Sequence, residues 1–168
     1  MADPVSPELP ELDDIDLKII RALQTDGRMS NVDLAQRCSL SPSSTLERVR
    51  RLERGGVVEG YTARVNPRAL GHHVVVFVQV TMREHDQKAV TRFEAAVAEI
   101  PEILECHQVA GDFDFLLKAL VKDVAELRGM LMDRLSALPA IGRMHTTLVL
   151  ATSKHVLDVP IGQEGNRG

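Results

Sequence analysis

Residues 41–56 read SPSSTLERVRRLERGG, and this basic stretch decides how the first half of the chain folds. Ser41 is a favourable N-cap residue, Pro42 suits the first position of a helix, and the glycine pair favours termination. A helix ending near Arg54 is therefore predicted. Three apolar residues are assigned to its buried stripe: Leu46, Val49 and Leu52.

The predicted helix is also the most basic part of an acidic chain. The 168 residues carry a formal net charge of −4, whereas residues 40–70 contain six arginines and three glutamates, a local charge of +3. One interpretation is a solvated face whose arginines pair with Glu47 and Glu53. The other is a DNA-binding surface, because acidic groups farther away than ~10 Å are screened by salt.

Two shorter helices are predicted before the basic one, and they favour the second interpretation. The first covers about residues 14–24, with apolar residues at every fourth position. The second begins near Ser30, which can cap the helix together with Asp33. A four-residue break joins this second helix to the basic helix, which starts with hydroxyl residues. Two short helices joined in this way are typical of a helix-turn-helix.

The residues expected to face DNA lie opposite the apolar stripe and at the hydroxyl-rich start of the basic helix. Small side chains let a helix enter the major groove, and arginines farther along can reach phosphates or guanine edges. The predicted DNA-binding residues are Ser43, Ser44, Thr45, Glu47, Arg48, Arg51 and Arg54. Since Arg48 and Arg51 lie outside the stripe, neither is expected to affect folding.

The hydrophobic pattern changes near residues 66–71. After this point, short β-branched or apolar runs predict strands, and apolar residues at helical spacing predict two helices. The predicted strands cover residues 73–82, 103–110, 113–122 and 143–151. The order βαββαβ predicts a ferredoxin-like sheet with both helices on one face, so the fold class is α+β.

This pattern divides the chain into five segments. The acidic, proline-rich start and the polar end are expected to be tails. The segments are a disordered tail (1–11), a helix-turn-helix domain (12–56), a linking strand and turn (57–71), a ferredoxin-like effector and dimerisation domain (72–157), and a second tail (158–168).

The uncovered face of the predicted sheet is expected to be an interface. It is formed by alternate residues of the third strand and by residues of its neighbours: Asp114, Leu116, Lys118, Leu120, Lys122, Phe77, His107, Val109 and Val149. This surface is too apolar to remain exposed to solvent and too polar to form part of a hydrophobic core. Dimerisation through it is therefore predicted.

Several other classes of protein are disfavoured. No apolar run approaches the ~18 residues that span a membrane, and the N-terminus does not resemble a signal peptide, so a cytoplasmic location is expected. Cys38 and Cys106 are interpreted as reduced core residues. His107 and His145 could approach each other on neighbouring strands, but further ligands are missing, so neither a metal nor a cofactor is predicted. No nucleophile or phosphate loop is evident, so an enzyme is not expected.

Stretches in both halves resemble the leucine-responsive/asparagine-regulator (Lrp/AsnC, feast/famine) transcription factors. They are LDDIDLKII (12–20), LQTDGRMSNVDLA (23–35), LSPSS (40–44), RVRRLERGGVVEGYTA (48–63) and VAGDFDFLL (109–117). The resemblance covers roughly residues 12–157. It implies a winged-type helix-turn-helix, a linking strand over about 57–65, and a C-terminal effector domain. It also implies homodimers, often assembled into octamers, that bind symmetric operators and respond to small effectors, commonly amino acids.

The GDFD turn, residues 111–114, is the predicted effector site. Asp112 or Asp114 could accept from an ammonium group, and amides near Gly111 could donate to a carboxylate. In the proteins that this chain resembles, the effector lies between subunits at this turn and near the last strand. The predicted site residues are His107, Val109, Ala110, Gly111, Asp112, Phe113, Asp114, Thr146 and Thr147. Phe113 stands where the family often has Tyr.

Two rival functions remain open at this stage. The C-terminal half alone would suit an allosteric amino-acid-binding subunit of a metabolic enzyme, although such a subunit has no need of the basic helix. An architectural DNA-binding protein without an effector is the other rival. A change of DNA binding with effector would distinguish a regulator from it.

Overall fold

The computed structural model describes residues 9–84 and 86–162. The predicted tails therefore lie partly outside the described residues, at positions 1–8 and 163–168. The chain divides into two compact units: one contains the residues up to Arg64 and the segment that starts at His155, and the other is Val65–Lys154. In the described part of the chain, no helix is long and apolar enough to cross a membrane.

The first unit contains three helices: α1 (Asp14–Thr25), α2 (Asn31–Cys38) and α3 (Pro42–Arg54). Each helix follows a capping residue, and the caps of α2 and α3 are the predicted ones. The side chains of Asp13, Ser30 and Ser41 accept hydrogen bonds from backbone amides in the first turn of their helices. The helices enclose a small apolar core formed by Ile19, Ala22, Leu34, Cys38 and Leu52.

The chain after α3 differs from the predicted linking strand. The amides of Val57 and Val58 donate to the Leu52 carbonyl at 2.9 and 3.2 Å, which ends the helix, and residues 59–66 have no regular secondary structure. A strand needs a neighbouring strand for its hydrogen bonds, and the described residues of this chain supply none here. The predicted turn is present as a short 3₁₀ helix, Pro67–Leu70.

The C-terminal segment was assigned to the effector domain and a tail, yet its described part belongs to the helical unit. The Val159 amide donates to Gln24 Oε1 at 2.9 Å, and Gln24 Nε2 donates to the Val159 carbonyl at 3.1 Å. Arg21 also donates to the Gly162 carbonyl. This paired contact fastens the segment to α1.

The second unit is the ferredoxin-like domain that the sequence predicts. Its elements are β1 (Val74–Met82), α4 (Gln87–Ala98), β2 (Ile103–Gln108), β3 (Phe115–Val121), α5 (Val124–Gly129) and β4 (Ile141–Leu148). The strand order is β2-β3-β1-β4, and every neighbouring pair is antiparallel. The helix predicted from residue 124 continues beyond α5 as a wider π turn, Met130–Leu135.

Alternation along the central strands builds the core on one face of the sheet. Val76, Val78 and Val80 of β1 are fully buried, and so are alternate residues of β3. The Phe93 ring of α4 packs on the Phe115 ring with centroids 4.7 Å apart. The opposite face of the sheet is only half-buried in the single chain.

The cysteines behave differently from each other. Cys38 is buried in the helical core, as predicted, whereas Cys106 is exposed on β2. The prediction of a core role for Cys106 is wrong because β2 is an outer strand of the sheet, with a neighbour on one side only.

Candidate DNA-binding and effector-binding sites

The inward side of α3 differs by one position from the predicted stripe. Thr45 is fully buried, and its hydroxyl donates to the Ser41 carbonyl at 3.0 Å, whereas Leu46 is 39% exposed. Residues 45, 49 and 52 follow the i, i+4, i+7 spacing of one helix face, whereas 46, 49 and 52 drift around it. The prediction that Thr45 faces DNA is therefore wrong, and so is the assignment of Leu46 to the core.

The opposite side of α3 carries a continuous exposed line. Its members share the spacing i, i+4, i+7, i+11 and are all exposed: Ser43, Glu47, Arg50 and Arg54. Ser44, also exposed, flanks the line. Arg50 was missed by the sequence analysis, although the same spacing, counted from Ser43, would have found it. We call these four residues the outward line of α3.

Arg48 and Arg51 extend from the flank of α3 toward α1. Arg48 Nη1 donates to Asp13 Oδ2 at 2.7 Å and to Asp16 Oδ1 at 2.8 Å, and Arg51 Nη2 donates to Asp16 Oδ2. The hydrogen bond from the Asp16 amide and the Arg48 guanidinium lower the pKa of Asp13 below its ordinary value. The two arginines, which were not expected to affect folding, therefore form ion pairs that join α3 to α1.

The second unit contains a cavity on the face of the sheet that the helices leave uncovered. Its volume is about 250 Å³, and it is lined by Gln79, Thr81, Asp112, Phe113, Arg143 and His145. Asp112 and Phe113 were predicted from the GDFD turn. The other four were not included in the predicted site.

Strand register explains how distant residues reach this cavity. Gln79 pairs with His145, and Thr81 pairs with Arg143, so the four side chains share one face of β1 and β4. The amide of Asp114 donates to the Val80 carbonyl at 2.9 Å, which holds the GDFD turn beside the same end of β1. Alternation backward from Thr147 would have placed His145 and Arg143 on this face.

The remaining residues of the turn have structural roles. Asp114 Oδ2 accepts from the Met82 amide at 2.7 Å, and the Asp114 carbonyl accepts from the Val109 amide at 2.9 Å. Gly111 has φ of 154°, a conformation that side chains disfavour. Val109, Ala110, Gly111 and Asp114 are not among the residues lining the cavity.

Three other predicted residues lie away from it. Thr146 pairs with the buried Val78 and so belongs to the helix-covered face, while Thr147 pairs with Phe77 on the open face, beyond the cavity. His107 lies on β2 and contacts Glu105 at 3.2 Å. Since β2 and β4 are the two outer strands, the expected approach of His107 to His145 is wrong: three strand spacings, or roughly 14 Å, separate them.

The chemistry of the cavity suits a small ligand with two charges. The guanidinium of Arg143 can donate hydrogen bonds to a carboxylate, and the carboxylate of Asp112 can accept them from a cationic group. Gln79 and Thr81 add neutral donors and acceptors, and Phe113 adds an apolar surface. Within residues 9–84 and 86–162, no cluster of three or more His, Cys, Asp or Glu side chains is arranged to hold a metal ion.

Comparison with known proteins assigns both units. Residues 12–59 match a winged helix-turn-helix DNA-binding domain, and residues 75–157 match the Lrp/AsnC ligand binding domain. The leucine-responsive regulatory protein of Salmonella typhimurium is 46% identical over 144 residues, which are 86% of this chain and 88% of that protein. The protein of the same name from Escherichia coli K12 is 45% identical over the same shares.

Solved structures agree with this assignment. A Neisseria meningitidis transcriptional regulator in complex with L-Met has a TM-score of 0.85 and 33% identity, covering 89% of this chain and 97% of that one. The leucine response regulatory protein of Mycobacterium tuberculosis has a TM-score of 0.72 and 35% identity, with coverages of 86% and 99%. With a helix-turn-helix unit and a ligand-binding unit in the same order as these relatives, this chain belongs to the Lrp/AsnC family of transcriptional regulators.

Proposed function

We propose that this regulator binds a free α-amino acid in the cavity beside the GDFD turn and changes its DNA binding in response. The observation that carries the proposal is that Arg143 and Asp112, of opposite charge, line one cavity of about 250 Å³. An amino acid presents a carboxylate to the first and an ammonium to the second. Its side chain then meets Phe113.

The relatives support this class of effector. Several are named leucine-responsive regulatory proteins, and the Neisseria regulator was solved with L-Met. In this chain, Phe113 replaces the Tyr that the family often carries, so no phenolic hydroxyl is available there. An apolar amino acid such as leucine or methionine is the class that such a wall favours.

We propose that DNA is read by the outward line of α3 and by Ser44 beside it. The hydroxyls lie in the first turn, where a recognition helix enters the major groove, and the cations of Arg50 and Arg54 lie farther along. Arg48 and Arg51 are not part of this reading surface, because their guanidinium groups donate to Asp13 and Asp16. Double-stranded DNA is thus the proposed macromolecular partner.

We propose a homodimer that buries the open face of the sheet. Val75 and Phe77 of β1 and Leu116 and Leu120 of β3 lie on this face and are half-buried in the single chain. A second copy would cover them and set two copies of α3 on successive half-sites. Assembly into octamers is proposed from the family alone, whereas a cytoplasmic location and a non-catalytic role are proposed from the sequence and the family together.

The test begins with thermal melts of the protein against the twenty amino acids. A ligand at 100 times its Kd adds about 2.7 kcal/mol to the free energy of unfolding. Calorimetry then compares Asp112→Asn with Asp133→Asn, an exposed aspartate of the same unit that does not line the cavity. The proposal predicts weaker binding in the first variant only.

Two results would contradict the proposal. Equal affinity of the effector for both folded variants would move the site elsewhere. If no amino acid shifts the melt or the DNA affinity, the architectural role without an effector would be favoured instead.

A further inference from the structure

Asp16 is the third residue of α1, and its side chain is fully buried between α1 and α3. Both carboxylate oxygens have partners. Oδ1 accepts from Arg48 Nη1 at 2.8 Å, and Oδ2 accepts from the Asp13 amide at 3.1 Å and from Arg51 Nη2. Neither interacting arginine belongs to the outward line of α3.

This arrangement fixes α3 at two points. Arg48 and Arg51 are three residues apart on the flank of α3, so their common carboxylate restrains both the rotation and the tilt of this helix against α1. Arg48 Nη1 also meets Asp13 Oδ2 at 2.7 Å. Two aspartates thus face two arginines, and the charges of these arginines are largely compensated within the unit.

We propose that Asp16 is a positioning residue for DNA recognition: its carboxylate holds α3 at the angle that reading DNA requires and holds Arg48 and Arg51 away from phosphates. The inference rests on the proposed role of α3 in DNA binding. It explains why only some arginines of a basic helix point outward, and it assigns discrimination between DNA sequences to a residue that touches no DNA.

The test compares Asp16→Asn with Asp14→Asn. Asp14 lies in the same turn and is exposed, so the change in charge is identical while α3 stays anchored. The probes are an operator selected from random duplexes by the wild-type protein and an unrelated duplex of equal length. Dissociation constants for both are measured over a series of salt concentrations, and folding is checked by thermal melts.

We expect Asp16→Asn to lower the ratio of operator affinity to unrelated-DNA affinity by about 5- to 150-fold, which is the cost of one misplaced base contact. Binding to unrelated DNA should become steeper in salt, by up to about 0.9 per phosphate newly contacted by a released arginine. Asp14→Asn should keep the wild-type ratio. A folded Asp16→Asn variant with the ratio of Asp14→Asn would overturn the inference.

A second pair of variants keeps the inference testable if Asp16→Asn does not fold. Arg48→Gln leaves Asp16 bonded to Arg51 and to the Asp13 amide. It should lower the affinity ratio without lowering the salt slope, whereas Arg54→Gln should lower the slope by about one unit. An equal fall of slope in both variants would overturn the inference. A wild-type protein that does not discriminate between the duplexes would instead refute the proposed reading of DNA sequence by α3.

Discussion

The carboxylate of Asp16 is enclosed between two helices, whereas that of Asp112 lies at the exposed edge of a cavity. Around Asp16, two guanidinium groups and a backbone amide occupy both oxygens. Asp112 lies in the turn before β3, and Arg143 of β4 is the cationic residue that lines the same cavity.

The difference shows how one type of side chain serves two purposes. A buried charge must be paired within the chain, because leaving it unpaired costs several kcal/mol, so Asp16 is committed to holding helices together. An exposed charge at a cavity keeps its bonding capacity for a ligand, and this is the role that we propose for Asp112 and Arg143.

The largest expected effect concerns the register of α3. Leu52 is fully buried, so Leu52→Ala should lower the free energy of unfolding of the helical unit by about 2–5 kcal/mol and impair DNA binding. Leu46→Ala, on the exposed side of the same helix, should change it by no more than about 0.5 kcal/mol. Denaturant unfolding measures both, and equal losses would contradict the register.

The next effect concerns the charged side chains that line the cavity. Arg143→Gln removes the proposed carboxylate partner, and loss of a charge-assisted hydrogen bond costs about 1.5–3 kcal/mol of effector binding. Arg128→Gln is the matched control, since Arg128 is exposed on α5 and does not line the cavity. Calorimetry should show weaker binding for Arg143→Gln alone, and unchanged binding would remove Arg143 from the site.

A smaller effect should follow from releasing the C-terminal segment. Val159→Pro removes the amide that donates to Gln24 Oε1, at a cost of about 0.5–1.5 kcal/mol to the helical unit. Val159→Ala keeps this amide and truncates a side chain that is 67% exposed. Hydrogen exchange of α1 amides should rise in the proline variant and stay near wild type in the alanine variant. The same rate in both would show that the segment contributes nothing.

The smallest effect is the titration of Asp13. Its lowered pKa stabilises the folded state at pH values above the unfolded pKa, and this contribution disappears as pH falls through the lowered folded value. In Arg48→Gln, the pKa should return only part of the way, because the Asp16 amide still donates to Asp13 Oδ1 at 2.8 Å. Carboxyl chemical shifts followed by NMR between acid and neutral pH measure this, and an unchanged pKa would contradict it.

Much of the fold could be predicted from local patterns. Caps at Ser30 and Ser41 and the βαββαβ order depend on neighbouring residues, and the structure confirms them. The register of α3 was also readable, since Thr45 continues the spacing of Val49 and Leu52. Leu46 was assigned to the buried stripe in place of Thr45 because leucine is apolar and threonine is polar.

Other features could not be predicted because they depend on pairing between distant segments. Arg143 and His145 reach the cavity only through the register of β4 on β1, which local sequence does not determine. The contact of Asp16 with α3 joins residues 32 and 35 positions apart. The linking strand was expected from the family, whereas residues 59–66 of this chain have no regular secondary structure.

Reciprocal linkage between effector and DNA tests the central claim most directly. The operator Kd is measured by titration with and without saturating amino acid, and the amino-acid Kd is measured with and without saturating operator. We predict that both constants change by the same factor, about 5–150-fold. We also predict that Arg143→Gln weakens effector binding both with and without bound operator. Effector binding with an operator Kd that stays constant would contradict the account.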